Sequence, residues 1–268
     1  MNPLPHFPLG NTGLSASPLG LGTVKWGRNQ ALKHGPFELP DDKALATLLD
    51  MAVEAGVNLL DTAAAYGIAE QRIGRILGQR REQFLLFSKT GEIFADGQSR
   101  WDFSAQHTRH SVQQSLKLLR TDRLDGVLLH CPRNDVEALQ NSPALETLAE
   151  LKAAGLIRSI GASVTTLEGG LYAVPLCDVL MIAWSIGFHE QQPVIEAAAR
   201  AGKGVLLKKV FNSGQLALPA DNGASSAIES CIHPALRLPG HPVVIVGTLN
   251  PAHFQENIAA ARSATLHL

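Results

Sequence analysis

Short runs of Val, Ile and Leu alternate along this chain with longer segments whose apolar residues recur three or four positions apart. The short runs predict strands and the longer ones amphipathic helices. Strands are expected at Pro18–Thr23, Val57–Thr62, Phe84–Lys89, Leu124–His130, Ser159–Ser163, Asp178–Trp184, Val205–Lys209 and Val243–Thr248. They show no clean in-out alternation, as strands covered on both faces should not. Leu45, Leu48, Leu49, Ala52 and Val53 ahead of Gly56 give one helix a buried stripe, and Val112, Leu116 and Leu119 give another. Ser142-Pro143 reads as a helix start closed by Gly155, and Asn250-Pro251 repeats that start signal.

About eight strand-helix units fit an α/β fold with a single (β/α)8 TIM barrel, preceded by a short amino-terminal hairpin and occupying residues 1–268 as one domain. An open doubly wound sheet would carry GxGxxG after its first strand, and none is present. Phe211–Leu238, with Asp221-Asn222-Gly223, reads as a long loop plus one helix.

Composition narrows the function. With 45% hydrophobic and 18% charged residues the chain is globular, and its net charge of -1 gives no field to collect nucleic acid or anionic lipid. Met1–Gly10 has no basic segment followed by an apolar run, and no stretch approaches the ~20 apolar residues of a membrane span. Cys131, Cys177 and Cys231 are odd in number and far apart, which argues against a disulfide framework or zinc site and for a reducing cytoplasm.

Barrel enzymes place their chemistry where the strands end at their carboxyl side. Asp61, Lys89 and His130 end the second, third and fourth predicted strands, and Tyr66 follows Asp61 in the next loop. A carboxylate, an ammonium, a phenol and an imidazole at one mouth form an acid-catalysis set. The lysine is expected to lower the phenol pKa from ~10, making Tyr66 a proton donor near neutral pH. His107 and His110 lack a third metal ligand at a fitting spacing, and Cys131 reads as a small buried residue.

These residues lie in motifs that resemble the aldo-keto reductase family. The motifs run in order: Leu9-Gly10-Asn11-Thr12-Gly13-Leu14 with Leu19-Gly20-Leu21-Gly22-Thr23, then Ala55-Gly56-Val57-Asn58 through Asp61-Thr62-Ala63 to Tyr66-Gly67, then Ser88-Lys89, then Leu129-His130 with Pro132. The resemblance implies a barrel that reduces small-molecule aldehydes or ketones, or runs in reverse, with a nicotinamide cofactor bound without a Rossmann domain. It makes Tyr66 the proton donor, Lys89 and Asp61 its tuning pair, and His130 the residue that orients the carbonyl.

The cofactor positions implied by the resemblance are Thr23, Ser163, Lys208, Gly247, Thr248, Leu249, His253, Glu256 and Asn257. The chain departs from the family where Val164 follows Ser163, where Met181 replaces a glutamine, and where Lys208, beside Lys209, replaces an aromatic that stacks on nicotinamide. Val, Met and Lys cannot supply those contacts. Trp184 is a substitute aromatic face. Gly247 and His253 stand where many members carry Lys or Arg, so NADPH is expected with a modest preference and NADH as an alternative, His253 being the one titratable cation assigned to the 2′-phosphate. Only Ser263–Leu268 are expected after the last helix, which points to an open pocket for varied or larger carbonyls. Two other readings stay open: a nucleotide-binding regulatory or sensor barrel with little turnover, and a Schiff-base lyase using Lys208 or Lys209.

Overall fold

The computed structural model describes residues 2–32, 35, 37–212 and 227–266. A hairpin of β1 (Phe7–Pro8) and β2 (Ser15–Ala16) leads into β3 (Leu19–Gly22), β4 (Leu59–Asp61) and β5 (Leu85–Thr90). A second hairpin, β6 (Glu92–Ala95) with β7 (Gln98–Trp101), comes before β8 (Gly126–His130), β9 (Ile160–Ser163), β10 (Val179–Ala183), β11 (Gly204–Lys208) and β12 (Val243–Val246). Strands β3, β4, β5, β8, β9, β10, β11 and β12 pair in parallel and close into a barrel, with β12 returning to β3. Each predicted strand coincides with an observed one to within two residues at either end. The second hairpin has no counterpart in the sequence pattern, because Gln98–Trp101 carries no apolar run and is mostly exposed.

Strand residues divide between two cores. Leu59, Phe87, Leu128, Val179, Met181, Leu206 and Val243 fill the barrel interior, and Leu9, Leu14 and Ala16 from the first hairpin join them. The hairpin approaches β11 so closely that a Cβ on Gly10, whose φ is +54°, would lie 2.4 Å from Gly204 N. Gly126 makes room inside, since a Cβ there would meet the Phe87 ring at 2.2 Å. Leu21, Leu60, Leu86, Leu129, Ala162, Ile182, Leu207 and Val244 belong to the larger core, where the helices pack.

Helix α1 (Val24–Gly27) is one turn, and α2 (Asp42–Ala55) shows how sequence sets the longer ones. Asp41 Oδ1 accepts from Ala44 N at 2.7 Å, Gly56 ends the helix at φ +77°, and Leu45, Leu48, Leu49 and Ala52 are buried between. Burying each leucine stabilises the fold by about 1.5–3 kcal/mol. The ring continues through α3 (Ala69–Ile76), α4 (Ala105–Leu119), α5 (Asp135–Gln140), α6 (Ala144–Ala153), α7 (Leu167–Ala173), α8 (Gln192–Arg200), α9 (Ala227–Leu236) and α10 (Pro251–Thr265).

Asn250 caps α10 by accepting from Ala252 N, as expected, but α10 runs on to Thr265 rather than ending before Ser263. Ser142 does not cap α6: its hydroxyl donates back to Ala138 O at 2.6 Å, and Pro143 takes the capping position without a side-chain bond. The helix expected before Leu238 is α9, while the loop reading of 213–226, with Asp221-Asn222-Gly223, lies outside the described residues. No described helix is long and apolar enough to cross a membrane.

Candidate active site

Asp61, Lys89 and His130 sit at the carboxyl ends of three consecutive barrel strands, β4, β5 and β8, and Tyr66 lies in the turn between β4 and α3. All four line one cavity of about 660 Å³. Lys89 Nζ donates to Asp61 Oδ1 at 2.5 Å and to Thr62 O at 2.9 Å, and lies 4.8 Å from the centre of the Tyr66 ring. The Tyr66 and His130 rings meet edge to face with centroids 6.1 Å apart. The structure thus brings together the four residues the sequence singled out.

Burial pushes the Lys89 pKa down, but the Asp61 charge and hydrogen bond, with Tyr66, more than offset it, so the ammonium is held above its ordinary value. Tyr66 departs from expectation: its pKa is raised, not lowered. Removal of the phenol from water dominates, Lys89 opposes it, and the Asp61 and Glu92 charges add to it. The phenol therefore rests as O–H, the form that can donate, with the Lys89 ammonium against its ring. Tyr66, His130 and Lys208 keep some accessible surface because they line the cavity, yet protein walls surround them and burial dominates their protonation.

Glu92, at the start of β6, was not singled out from sequence. Its Oε2 lies 2.7 Å from His130 Nδ1, an angled approach rather than an ideally aligned hydrogen bond. Its Oε1 accepts from Arg28 Nη1 at 3.1 Å and from the Ser99 hydroxyl. Burial alone would raise the Glu92 pKa, but His130, Ser99 and Arg28 bring it down to about 2. The available signal was position: Glu92 comes two residues after β5 ends, on the face where the strands deliver the other polar groups.

Of the expected cofactor residues, Thr23, Ser163, Lys208, Gly247, Thr248, His253, Glu256 and Asn257 line the same cavity. Leu249 packs against the larger core instead. Trp184 lines a neighbouring cavity of about 360 Å³ with Lys208 and Lys209, and its indole meets His189 edge to face. Lys208 Nζ donates to Ser163 Oγ at 2.8 Å and Val164 O at 2.9 Å, so the serine's acceptor is already engaged. Burial first, then Lys209, lowers the Lys208 pKa to about 7. Lys25 also lines the cavity and was not anticipated. The Cys131 thiol is buried and its pKa is pushed up, an inert setting. His107 and His110 form no metal cluster among the described residues.

The wall beside β3 and β12 suits the nucleotide half of a dinucleotide. A Cβ on Gly22 would press Ile245 Cγ2 at 3.0 Å, so the backbone there is left bare for close approach. Next to it α10 opens at Asn250, a helix start that favours anions. Asn257 donates to His253 O at 2.6 Å, but its buried Oδ1 has no partner, an acceptor that fits an N–H donor such as an adenine amine.

The Aldo/keto reductase family model matches residues 18–217 of this chain. D-threo-aldose 1-dehydrogenase of Pseudomonas sp. is 31% identical over 208 residues, covering 67% of this chain and 63% of that protein, so the chain spans under two thirds of that relative. The uncharacterized oxidoreductase YqkF of Bacillus subtilis is 26% identical, covering 96% and 91%. Among solved structures, PA4992 of Pseudomonas aeruginosa, itself assigned by name to the aldo-keto reductases, superposes with a TM-score of 0.87 at 45% identity, covering 97% of this chain and 96% of that one.

Proposed function

This chain belongs to the aldo/keto reductase family, and from that premise we propose that it is an NAD(P)H-dependent oxidoreductase interconverting aldehydes or ketones and their alcohols, with Tyr66 as proton donor. The observation that carries the reading is the enclosed Asp61–Lys89 pair set against the Tyr66 ring in the wall of a substrate-sized cavity. When bound, the reduced nicotinamide supplies the hydride. The chain supplies the rest. Tyr66 donates its phenolic proton to the carbonyl oxygen, Lys89 stabilises the resulting phenolate, Asp61 keeps Lys89 charged and in place, and His130 fixes the reacting end of the substrate.

Thr23, Gly247, Thr248, Glu256 and Asn257 hold the nucleotide half, with Ser163 and Lys208 towards the reacting end. NADPH is preferred over NADH, because Lys25 and His253 follow the neighbouring strands β3 and β12 and flank one part of the cavity. Unpaired cysteines support a reducing compartment such as the cytoplasm. The regulatory-barrel reading leaves a complete acid-catalysis set without a task, and the Schiff-base reading leaves Tyr66 and His130 without one, so neither is favoured. The test is a fluorescence titration with NADPH and NADH, followed by a panel of aldoses and simple aldehydes monitored by loss of reduced-nicotinamide absorbance. Binding with turnover of at least one aldehyde is expected. Failure to bind either cofactor overturns the reading.

A further inference from the structure

Lys89 and Lys208 both line the main cavity and both act on His130 through their charges, but only one of them is neutralised. Lys89 is paired with Asp61. Lys208, at the end of β11, stands opposite Ala183 in register, and its ammonium reaches past β10 to the end of β9, where it donates to Ser163 Oγ at 2.8 Å and Val164 O at 2.9 Å. Both acceptors are uncharged. The Lys208 charge therefore bears on the place where Tyr66 and His130 meet a carbonyl. A ring that passes hydride to that carbonyl must lie in contact with it, and so within the same field.

Resting on the carbonyl oxidoreductase reading, we propose that the Lys208 ammonium makes the site discriminate between the two redox forms of its cofactor, retaining the neutral reduced nicotinamide and disfavouring the oxidised ring, which is left with a positive charge once its hydride is gone. Two like charges within about 8 Å, at an effective dielectric of ~20 to 40, change an affinity by roughly 5- to 30-fold. The overall equilibrium with substrate is unaffected. What Lys208 sets is which form occupies the cavity, so that the reduced form is taken from a mixture and the oxidised one leaves. Lys25 and His253 meet the same nucleotide half in either form and cancel from the comparison. Burial and Lys209 bring the Lys208 pKa to about 7, with Lys89 acting in the same direction and Cys131 and Asp61 against it. The lysine can therefore shed its proton to admit the oxidised ring, which caps the discrimination at roughly 10-fold at pH 6 and removes it by pH 9.

The test is the ratio of the NADP⁺ to the NADPH dissociation constant, measured by fluorescence titration of the whole chain at pH 6 and pH 9 and fixed ionic strength. At pH 6 the parent ratio should exceed that of Lys208→Met by about 3- to 10-fold, and at pH 9 the two should agree within about 2-fold. Lys208→Arg stays charged throughout, so its ratio should remain high at pH 9. Equal ratios in parent and Lys208→Met at pH 6 overturn the proposal, and so does a Lys208→Arg ratio at pH 9 no higher than that of Lys208→Met. Should Lys208→Met fail to fold, Lys208→Gln, which keeps a donor for Ser163 and Val164 without the charge, gives the same comparison. Failure of the parent to bind either form would overturn the oxidoreductase reading and this role with it, whereas binding of both forms with a ratio insensitive to Lys208 overturns the role alone.

Discussion

Lys89 Nζ lies 2.5 Å from Asp61 Oδ1, with the two side chains only 1% and 6% exposed. At that depth each charge is tolerable only because of the other. Lys89→Met should cost about 3–5 kcal/mol of stability, because it strands the Asp61 carboxylate, and should abolish most turnover. Adding Asp61→Asn removes the stranded charge, so the double variant should regain part of the stability and none of the activity. Denaturant unfolding alongside kinetics separates the two effects. A Lys89→Met protein as stable as the parent would show that the pair is not enclosed in solution. Since the folded Lys89 pKa is raised, its contribution is fully present below ~10.4 and is lost as pH rises through the folded value.

Tyr66→Phe removes one proton and little surface. Carbonyl reduction should fall roughly 10²- to 10⁴-fold while both cofactors bind within a few-fold of the parent. Because burial raises the phenol pKa, the acid form should persist through neutral pH, and a loss of reduction rate from phenol ionisation should appear only well into the alkaline range. A variant retaining more than about a tenth of the activity would remove Tyr66 from the role.

The eight strands were legible because parallel barrel strands are apolar on both faces, and that pattern survives without any tertiary information. Asp61, Lys89 and His130 were legible for a related reason: each is a polar residue ending such a run. Glu92 and the β6–β7 hairpin were not. A hairpin laid over the barrel mouth buries little on its outer side, so Gln98–Trp101 reads as loop, and only the folded chain brings Glu92 to His130. The sign of the Tyr66 shift was missed similarly. Sequence shows that Lys89 is available, whereas the loss of water around the phenol depends on how the mouth is walled.

Discrimination between cofactors should depend on two basic side chains that line the cavity, Lys25 after β3 and His253 in α10. A charge-assisted hydrogen bond is worth about 1.5–3 kcal/mol at most, and the exposure of His253 reduces its share. Lys25→Met and His253→Ala should each lower the ratio of NADPH to NADH affinity by a few-fold, and the double variant should approach no preference. Dissociation constants at fixed low ionic strength decide this. A preference intact in the double variant would place the 2′-phosphate against other groups.

Lys208 presents the opposite case to Lys89, a cation in the same cavity wall without a carboxylate of its own. Its ammonium has acceptors in Ser163 Oγ and Val164 O, yet burial and the neighbouring Lys209 bring its pKa to about 7. In the unfolded chain a lysine titrates near ~10.4. Between those values the unfolded state holds a proton that the folded state does not, so the Lys208 contribution makes stability rise with pH across that window, and below about pH 7 the charged form is a net cost to the fold. Lys208→Met keeps the length and removes the charge. It should stabilise the protein at pH 6 by about 1–3 kcal/mol, after allowance for solvent screening and the two lost hydrogen bonds, which corresponds to a few degrees in Tm for a chain of this size. The difference should shrink towards pH 10, where the parent lysine is already neutral in the fold. Thermal unfolding of parent and variant at pH 6, 8 and 10 tests this. A variant less stable than the parent by the same margin at all three would mean that the ammonium is held favourably by Ser163 and Val164, and that its burial carries no penalty.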